Sequence, residues 1–136
     1  MKTVSPTSSY TIDLPDGLHE DEGDDRVFSC WDEEASELLQ LSSYKRDTGA
    51  QPPSSERLSA RIHGAAEAES IKIHINGCPD VAAAVTKGDD GLFWLYCYAS
   101  WSDLMILATV SGPSKLKITN GWACKSIRSI KRANAT

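Results

Sequence analysis

The residues best suited to chemistry are three histidines, four cysteines and a run of carboxylates near the N-terminus. His19 lies within the acidic run, His63 falls at the end of a helical pattern, and His74 lies in a strand pattern. Nucleophilic catalysis needs a nucleophile and a base within hydrogen-bond reach, with a third group that orients the base. The sequence has no G-x-S-x-G motif, and no cysteine is next to a histidine. We therefore predict no catalytic residues and no enzymatic activity.

The acidic run is the most concentrated charge in the sequence. Seven carboxylates lie within thirteen residues, without a lysine or arginine among them: Asp13, Asp16, Glu20, Asp21, Glu22, Asp24 and Asp25. The run lacks the D-x-[DN]-x-[DN]-G register of a calcium loop, so we expect no metal site. A solvated loop and a surface that attracts a basic partner both remain open. For the second case the residues singled out are Asp21, Glu22, Asp24 and Asp25.

The four cysteines indicate the compartment rather than a reaction. Cys30, Cys78, Cys97 and Cys124 are widely spaced, and no C-x-x-C motif is present. The first ten residues lack the apolar core of a signal peptide, and no apolar run is long enough to span a bilayer. We expect a cytoplasmic protein with reduced thiols and no membrane partner. Cys30 and Cys97 are interpreted as small buried hydrophobes.

The charge balance argues against nucleic acid as a partner. The net charge is -5 and the isoelectric point is near 5.1. The basic residues Arg128, Lys131 and Arg132 suit the C-terminal end of a helix without any partner. Glycine-rich phosphate loops are absent, so no cofactor is expected. A basic protein partner is favoured instead.

Two adjacent apolar runs define the elements that must position any site. Residues 92–101 and 104–110 are apolar on both faces and are separated by Ser102-Asp103. This pattern predicts two central strands joined by a tight turn and covered on both sides. Odd positions from Phe93 to Trp101 then face one side, and Trp94, Tyr96 and Tyr98 face the other. A plain core and an aromatic interface are both open for the second side, with Trp94 and Tyr96 as the candidate anchors.

The remaining patterns complete a single α+β domain. Strands are predicted at 10–14, 26–31, 38–44, 71–75 and 81–86. One helix is predicted from an N-cap at Ser54, and a second from Ser114 to about Arg132. The fold class is therefore a mostly antiparallel sheet of six to seven strands packed with two helices. Residues 9–132 form the domain, and residues 1–8 and 133–136 are expected to be loose.

Both ends of the domain resemble a known family. Ile12, Leu14, Pro15 and Gly17 match an opening "x-Φ-x-Φ-P-x-G" strand, and Ile127, Ser129 and Ile130 match a closing "I-x-x-S-I" helix. The order of elements over residues 9–132 resembles the PsbP-like and DcrB-like α/β proteins, although Leu18 replaces their usual tryptophan. The resemblance implies a helix-sheet-helix sandwich used as a non-catalytic binding scaffold. No site residue is implied by it.

These observations favour a non-catalytic protein-binding module. Its most specific form is a bacterial immunity or secretion-adaptor protein that binds a basic partner. One alternative is a small-molecule-binding protein or enzyme with a pocket between sheet and helix, near Tyr98, His74 and Asp103. Another is a structural subunit of a larger complex.

Overall fold

A computed structural model describes residues 1–22, 27–34, 36–46, 51–65 and 67–133. For Glu22 only the backbone is described. Over these residues the chain forms ten strands and three helices. In chain order they are β1 Lys2–Thr7, β2 Tyr10–Leu14, β3 His19–Glu22, β4 Phe28–Trp31, β5 Leu38–Lys45, α1 Ser54–Arg61, β6 Glu69–Ile71, β7 Asp80–Lys87, β8 Phe93–Ser100, β9 Leu104–Gly112, α2 Lys115–Asn120, α3 Trp122–Arg128 and β10 Lys131–Arg132. The predicted α+β class is confirmed. No helix in the described part of the chain is long and apolar enough to cross a bilayer.

The main sheet is antiparallel and has seven strands in the order β3-β4-β5-β9-β8-β7-β6. The predicted central pair is confirmed, since β8 and β9 have neighbours on both sides. Their turn is closed by the amide of Trp101, which donates to the carbonyl of Leu104 at 2.7 Å. Both strands are apolar on both faces because both faces are covered, at least in part.

The inner face of this sheet is covered by a second layer. That layer contains a small sheet in the order β1-β2-β10, together with α2 and α3. Ile12 and Leu14 from β2 and Ile118 and Ile127 from the helices are fully buried against the main sheet. This two-layer core is the larger of two apolar clusters in the described residues.

The outer face is covered by α1 alone among the described elements. Leu58 of α1 packs on Tyr98, Met105 and Leu107, which forms the smaller cluster. The start of α1 lies against the ends of β7 and β8, where the Ser54 amide donates to Asp80 at 2.7 Å. The predicted N-cap role of Ser54 is wrong, because Pro53 occupies the N-cap position and Ser54 is the first helical residue.

The predicted loose N-terminus differs from the structure, and of the predicted loose C-terminus only Ala133 is described. Lys2–Thr7 form β1, which pairs with β2 so that Val4 lies opposite Ile12. The amide of Ala133 donates to the carbonyl of Ser9 at 2.8 Å, which extends the pairing beyond β10. The sequence of β1 is polar, so its backbone pairing with β2 and not its side chains makes it a strand. Residues 134–136 lie outside the described residues.

Two other predicted segments are altered. Part of the expected acidic loop is strand β3, because residues 19–22 pair with β4 and satisfy their backbone groups there. The strand predicted over 71–75 ends at Ile71. Ile73 and Ile75 are still buried in the core, so the alternation correctly predicted their burial although their backbone is not paired in a strand.

The predicted C-terminal helix is broken at Gly121 into α2 and α3. The buried carboxylate of Glu37 lies at this break, where the amide of Ala123 donates to its Oε1 at 3.3 Å. A Cβ atom on Gly121 would collide with both carboxylate oxygens and with the carbonyl of Lys117. The backbone of Gly121 is extended, so a lack of space and not an unusual φ angle requires glycine here.

Substituting alanine for Gly121 tests this packing, because the change in the free energy of unfolding has opposite signs for an uninterrupted helix and for a helix broken at Gly121. In an uninterrupted helix Gly121→Ala would stabilise the protein by about 1 kcal/mol. In the broken helix we expect a loss of about 1–3 kcal/mol in the free energy of unfolding, since Glu37 must move. Denaturant unfolding measures the difference. Leu116→Ala, on an exposed side chain of α2, is the matched control and should change stability little. A stabilised Gly121→Ala variant would contradict the break.

Candidate binding surface on the outer sheet face

Strand register places the candidate residues on one face of the main sheet. Residues directly opposite each other in antiparallel strands point to the same face. A first row crosses the sheet from β3 to β7 through His19, Trp31, Leu38, Ser111, Trp94 and Thr86. A second row passes through Asp21, Ser29, Gln40, Thr109, Tyr96 and Ala84. Both rows are on the outer face, the side that α1 covers.

The helix α1 covers one end of this face and reaches the second row only at Ala84 and Tyr96, which pack with its cluster. Its contacts centre on Tyr98, Met105 and Leu107. Trp31, Leu38 and Trp94 are partly exposed, and within the described residues they belong to neither apolar cluster. We call the partly or fully exposed residues of the two rows the open face: His19, Asp21, Ser29, Trp31, Leu38, Gln40, Trp94, Tyr96 and Thr109. It presents large apolar side chains to solvent on a rigid sheet.

Two stacked ring pairs occupy the open face. The rings of Trp94 and Tyr96 lie 6.3 Å apart at an interplanar angle of 17°. The Trp94 indole also packs on Gly88, where an added Cβ would lie 3.1 Å from the indole Nε1. At the other end, His19 and Trp31 stack at 5.8 Å and 21°. Because each ring is already supported, little side-chain entropy remains to be lost on binding.

The edge strand β3 provides the acidic part of the open face. Asp21 is exposed, lies in the same row as Tyr96 and makes no ion pair with any described residue. With strands spaced about 4.8 Å apart, four strand steps separate the two residues by about 19 Å. Glu20 points to the opposite face and pairs with Lys2 at 2.6 Å. The other residues predicted to attract a basic partner are Glu22, Asp24 and Asp25. Asp24, Asp25 and the side chain of Glu22 lie outside the described part of the chain.

The histidines do not form a catalytic arrangement with one another. His19 stacks on Trp31 and lies 3.2 Å from Glu33, at the exposed edge of the sheet. His63 follows α1, and His74 lies between β6 and β7, so the three are on separate elements. Within the described residues, no group of three or more histidine, cysteine or acidic side chains could hold a metal ion.

The polar residues proposed for a pocket are also separated. The hydroxyl of Tyr98 accepts a hydrogen bond from Nε of Arg61 at 3.1 Å on the outer face. Asp103 lies in the turn after β8, where Arg132 forms an ion pair with it and lowers the pKa of its carboxyl. His74 precedes β7. Of the three, Tyr98 lines a cleft beside α1, and the side chains of the other two do not contribute to its described lining.

All four cysteines are free. Cys30, Cys97 and Cys124 are buried, and Cys78 is partly exposed. Burial raises the pKa of the Cys30 thiol to about 12, and it raises the pKa of Cys97 further. Such thiols are protonated at neutral pH and therefore poor nucleophiles. The interpretation of Cys30 and Cys97 as buried hydrophobes agrees with this placement.

Several residues of the open face were not singled out from the sequence. Trp31 and Leu38 join Trp94 only through the pairing of β5 with β9, whose residues are far apart in sequence. The alternation in β4 shows that Trp31 and Ser29 share a face, but not which other strands extend that face. A second missed signal is the spacing of Arg57 and Arg61, which places both guanidinium groups on one side of α1.

Comparisons with known proteins give a fold and no family. No family model matches the chain, and no curated protein matches it. A crystal structure of a protein from Bacteroides thetaiotaomicron VPI-5482 is similar, with a TM-score of 0.62 and 12% sequence identity. The similarity covers 92% of this chain and 45% of that one, so the present chain spans less than half of its neighbour. At this identity the likeness shows the shared fold alone.

Thiol labelling of the native protein tests the burial of the cysteines. We expect one thiol, Cys78, to react first with a disulfide reagent at pH 8, because it is the partly exposed one. The other three should react only as fast as the chain opens. Absorbance kinetics of the released thiolate give the number of thiols in each phase, and Cys78→Ser should remove the first phase. A single fast phase from all four thiols in folded protein would contradict the structure.

Proposed function

We propose that this protein is a non-catalytic protein-binding module that binds a basic protein partner through the open face. One observation is the main support: a row of the main sheet leaves Trp31, Leu38 and Trp94 partly exposed and unused by either apolar cluster in the described residues. Large apolar side chains grouped on one protein surface mark interaction sites.

The residue types on the open face support a protein partner. Tryptophan and tyrosine are enriched among the residues that contribute most to binding energy at interfaces. Here Trp94 and Tyr96 form one stacked pair, and Trp31 forms another with His19. Between them lies a polar strip, in which the side-chain amide of Gln40 donates to the Ser29 hydroxyl at 3.4 Å. Apolar anchors with adaptable polar groups between them are typical of an interface.

Charge supports a basic partner in particular. Asp21 is exposed at the acidic edge of the open face, and the whole chain has a net charge of -5. An acidic edge increases the rate at which a basic surface is encountered, and salt weakens this effect.

An immunity protein or a secretion adaptor in a bacterial cytoplasm is the specific role that we propose. Four free thiols suit a reducing compartment. The resemblance to PsbP-like and DcrB-like proteins stays a prediction.

The first test concerns the apolar anchor. Trp94→Ala should weaken binding of the partner by at least about 2 kcal/mol, roughly 30-fold in Kd. Tagged wild-type protein and variant are compared by quantitative affinity capture from native cells, followed by titration with the purified partner. Leu116→Ala, which removes an exposed side chain of α2 away from the open face, is the matched control. The same partner bound equally well by all three proteins would place the binding surface elsewhere. If the affinity capture recovers only further copies of this chain, the protein is a structural subunit and not a module that binds a different protein.

The second test concerns the acidic edge. Asp21→Lys should slow association with the captured partner at low salt by several-fold and flatten its salt dependence, while the dissociation rate changes little. Surface plasmon resonance at several ionic strengths measures both rates. Glu67→Lys reverses an exposed charge just before β6, at the opposite edge of the main sheet, and serves as a control for net charge. An unchanged association rate for Asp21→Lys at low salt would remove the steering role of β3.

A further inference from the structure

A cleft rich in cationic side chains lies beside α1 on the outer face, next to the open face. Its volume is about 270 Å³, and α1 forms one wall while β5 and β9 form the other wall and the floor. Lys45, Arg46, Arg57 and Arg61 line it. The side chains of Tyr98, Met105 and Leu107 also contribute to the lining. No carboxylate is among its described lining residues.

Arg57 and Arg61 bring two positive charges to one small cleft, and their mutual repulsion falls when an anion lies between them. Arg57 and Arg61 are four residues apart on α1, so their side chains project from the same side of the helix. The Nε of Arg57 is buried and has no hydrogen-bond partner among the described residues. A buried donor without an acceptor costs free energy that a bound anion would recover.

The second arginine is oriented by the sheet. Its Nε donates to the Tyr98 hydroxyl at 3.1 Å, and this contact raises the pKa of the Arg61 guanidinium. With Nε engaged, the two terminal nitrogens of the guanidinium still have donors for a ligand. Lys45 is close enough to Asp103 to help lower the pKa of that carboxyl, which also forms an ion pair with Arg132.

We propose that this cleft binds the phosphate group of a small phosphate monoester, with the apolar part of the ligand against Met105 and Leu107. Guanidinium groups present paired donors that match phosphate oxygens, and Lys45 adds a further positive charge to balance a dianion. The apolar floor favours an ester over inorganic phosphate. This site is independent of the proposed protein partner, because it uses a different part of the outer face.

Isothermal titration at constant ionic strength tests the site with phenyl phosphate, inorganic phosphate and benzoate. We expect saturable 1:1 binding of phenyl phosphate, weaker binding of inorganic phosphate and little binding of benzoate. Arg57→Gln and Arg61→Gln should each weaken phenyl phosphate binding by about tenfold or more. Arg128→Gln, which removes an exposed arginine of α3 distant from the cleft, is the matched control and should bind like the wild type.

Controls for folding, ligand type and net charge complete the titration experiment. Thermal unfolding without ligand shows whether a variant is folded, and Lys45→Gln replaces any arginine variant that is not. Benzoate binding tighter than phenyl phosphate binding would overturn the choice of phosphate. Equal weakening by Arg128→Gln would show that net charge and not the cleft attracts the anion. Absence of saturable phenyl phosphate binding to wild-type protein would overturn the proposal.

Discussion

The structure depends on the need to cover both faces of β8 and β9. Leu95 and Val110 on one face and Tyr98 and Leu107 on the other all lose most of their contact with water. At about 25 cal/mol per Å² of apolar surface, leaving either face open along its whole length would cost more than a small domain can spare. The small sheet, α2 and α3 cover the inner face, and α1 must cover the outer one.

The length of α1 limits how far that cover extends. Eight residues of helix span about 12 Å, whereas a strand of eight or nine residues spans close to 30 Å. The helix therefore shelters Tyr98 and Leu107, leaves Tyr96 partly buried at the margin of its cluster and stops short of Trp94. Both proposed sites arise from this mismatch. The open face lies beyond the cover, and the cationic cleft forms along the side of the helix, where Arg57 and Arg61 face β5 and β9.

Strand periodicity could predict much of the fold because the relevant signals are local. The burial of alternate residues in β2, β4 and the first half of β5 follows from apolar patterning within a few residues. Features that depend on contacts with other segments of the chain could not be predicted from local patterning. Strand β1 has a polar sequence and exists because β2 offers a pairing edge. Gly121 interrupts a helical pattern, but a side chain is excluded there by the carboxylate of Glu37, which lies 84 residues earlier in the sequence.

The same distinction applies to the candidate sites. Trp94 and Tyr96 could be singled out because two aromatic residues two positions apart on a strand must share a face. Their neighbours on that face come from β3, β4 and β5, and strand order determines which of these lie alongside. The order β5-β9-β8 places Trp31 and Asp21 in line with them. An acidic segment and an aromatic pair about 70 residues apart in sequence are thus brought onto one surface by the pairing of β5 with β9.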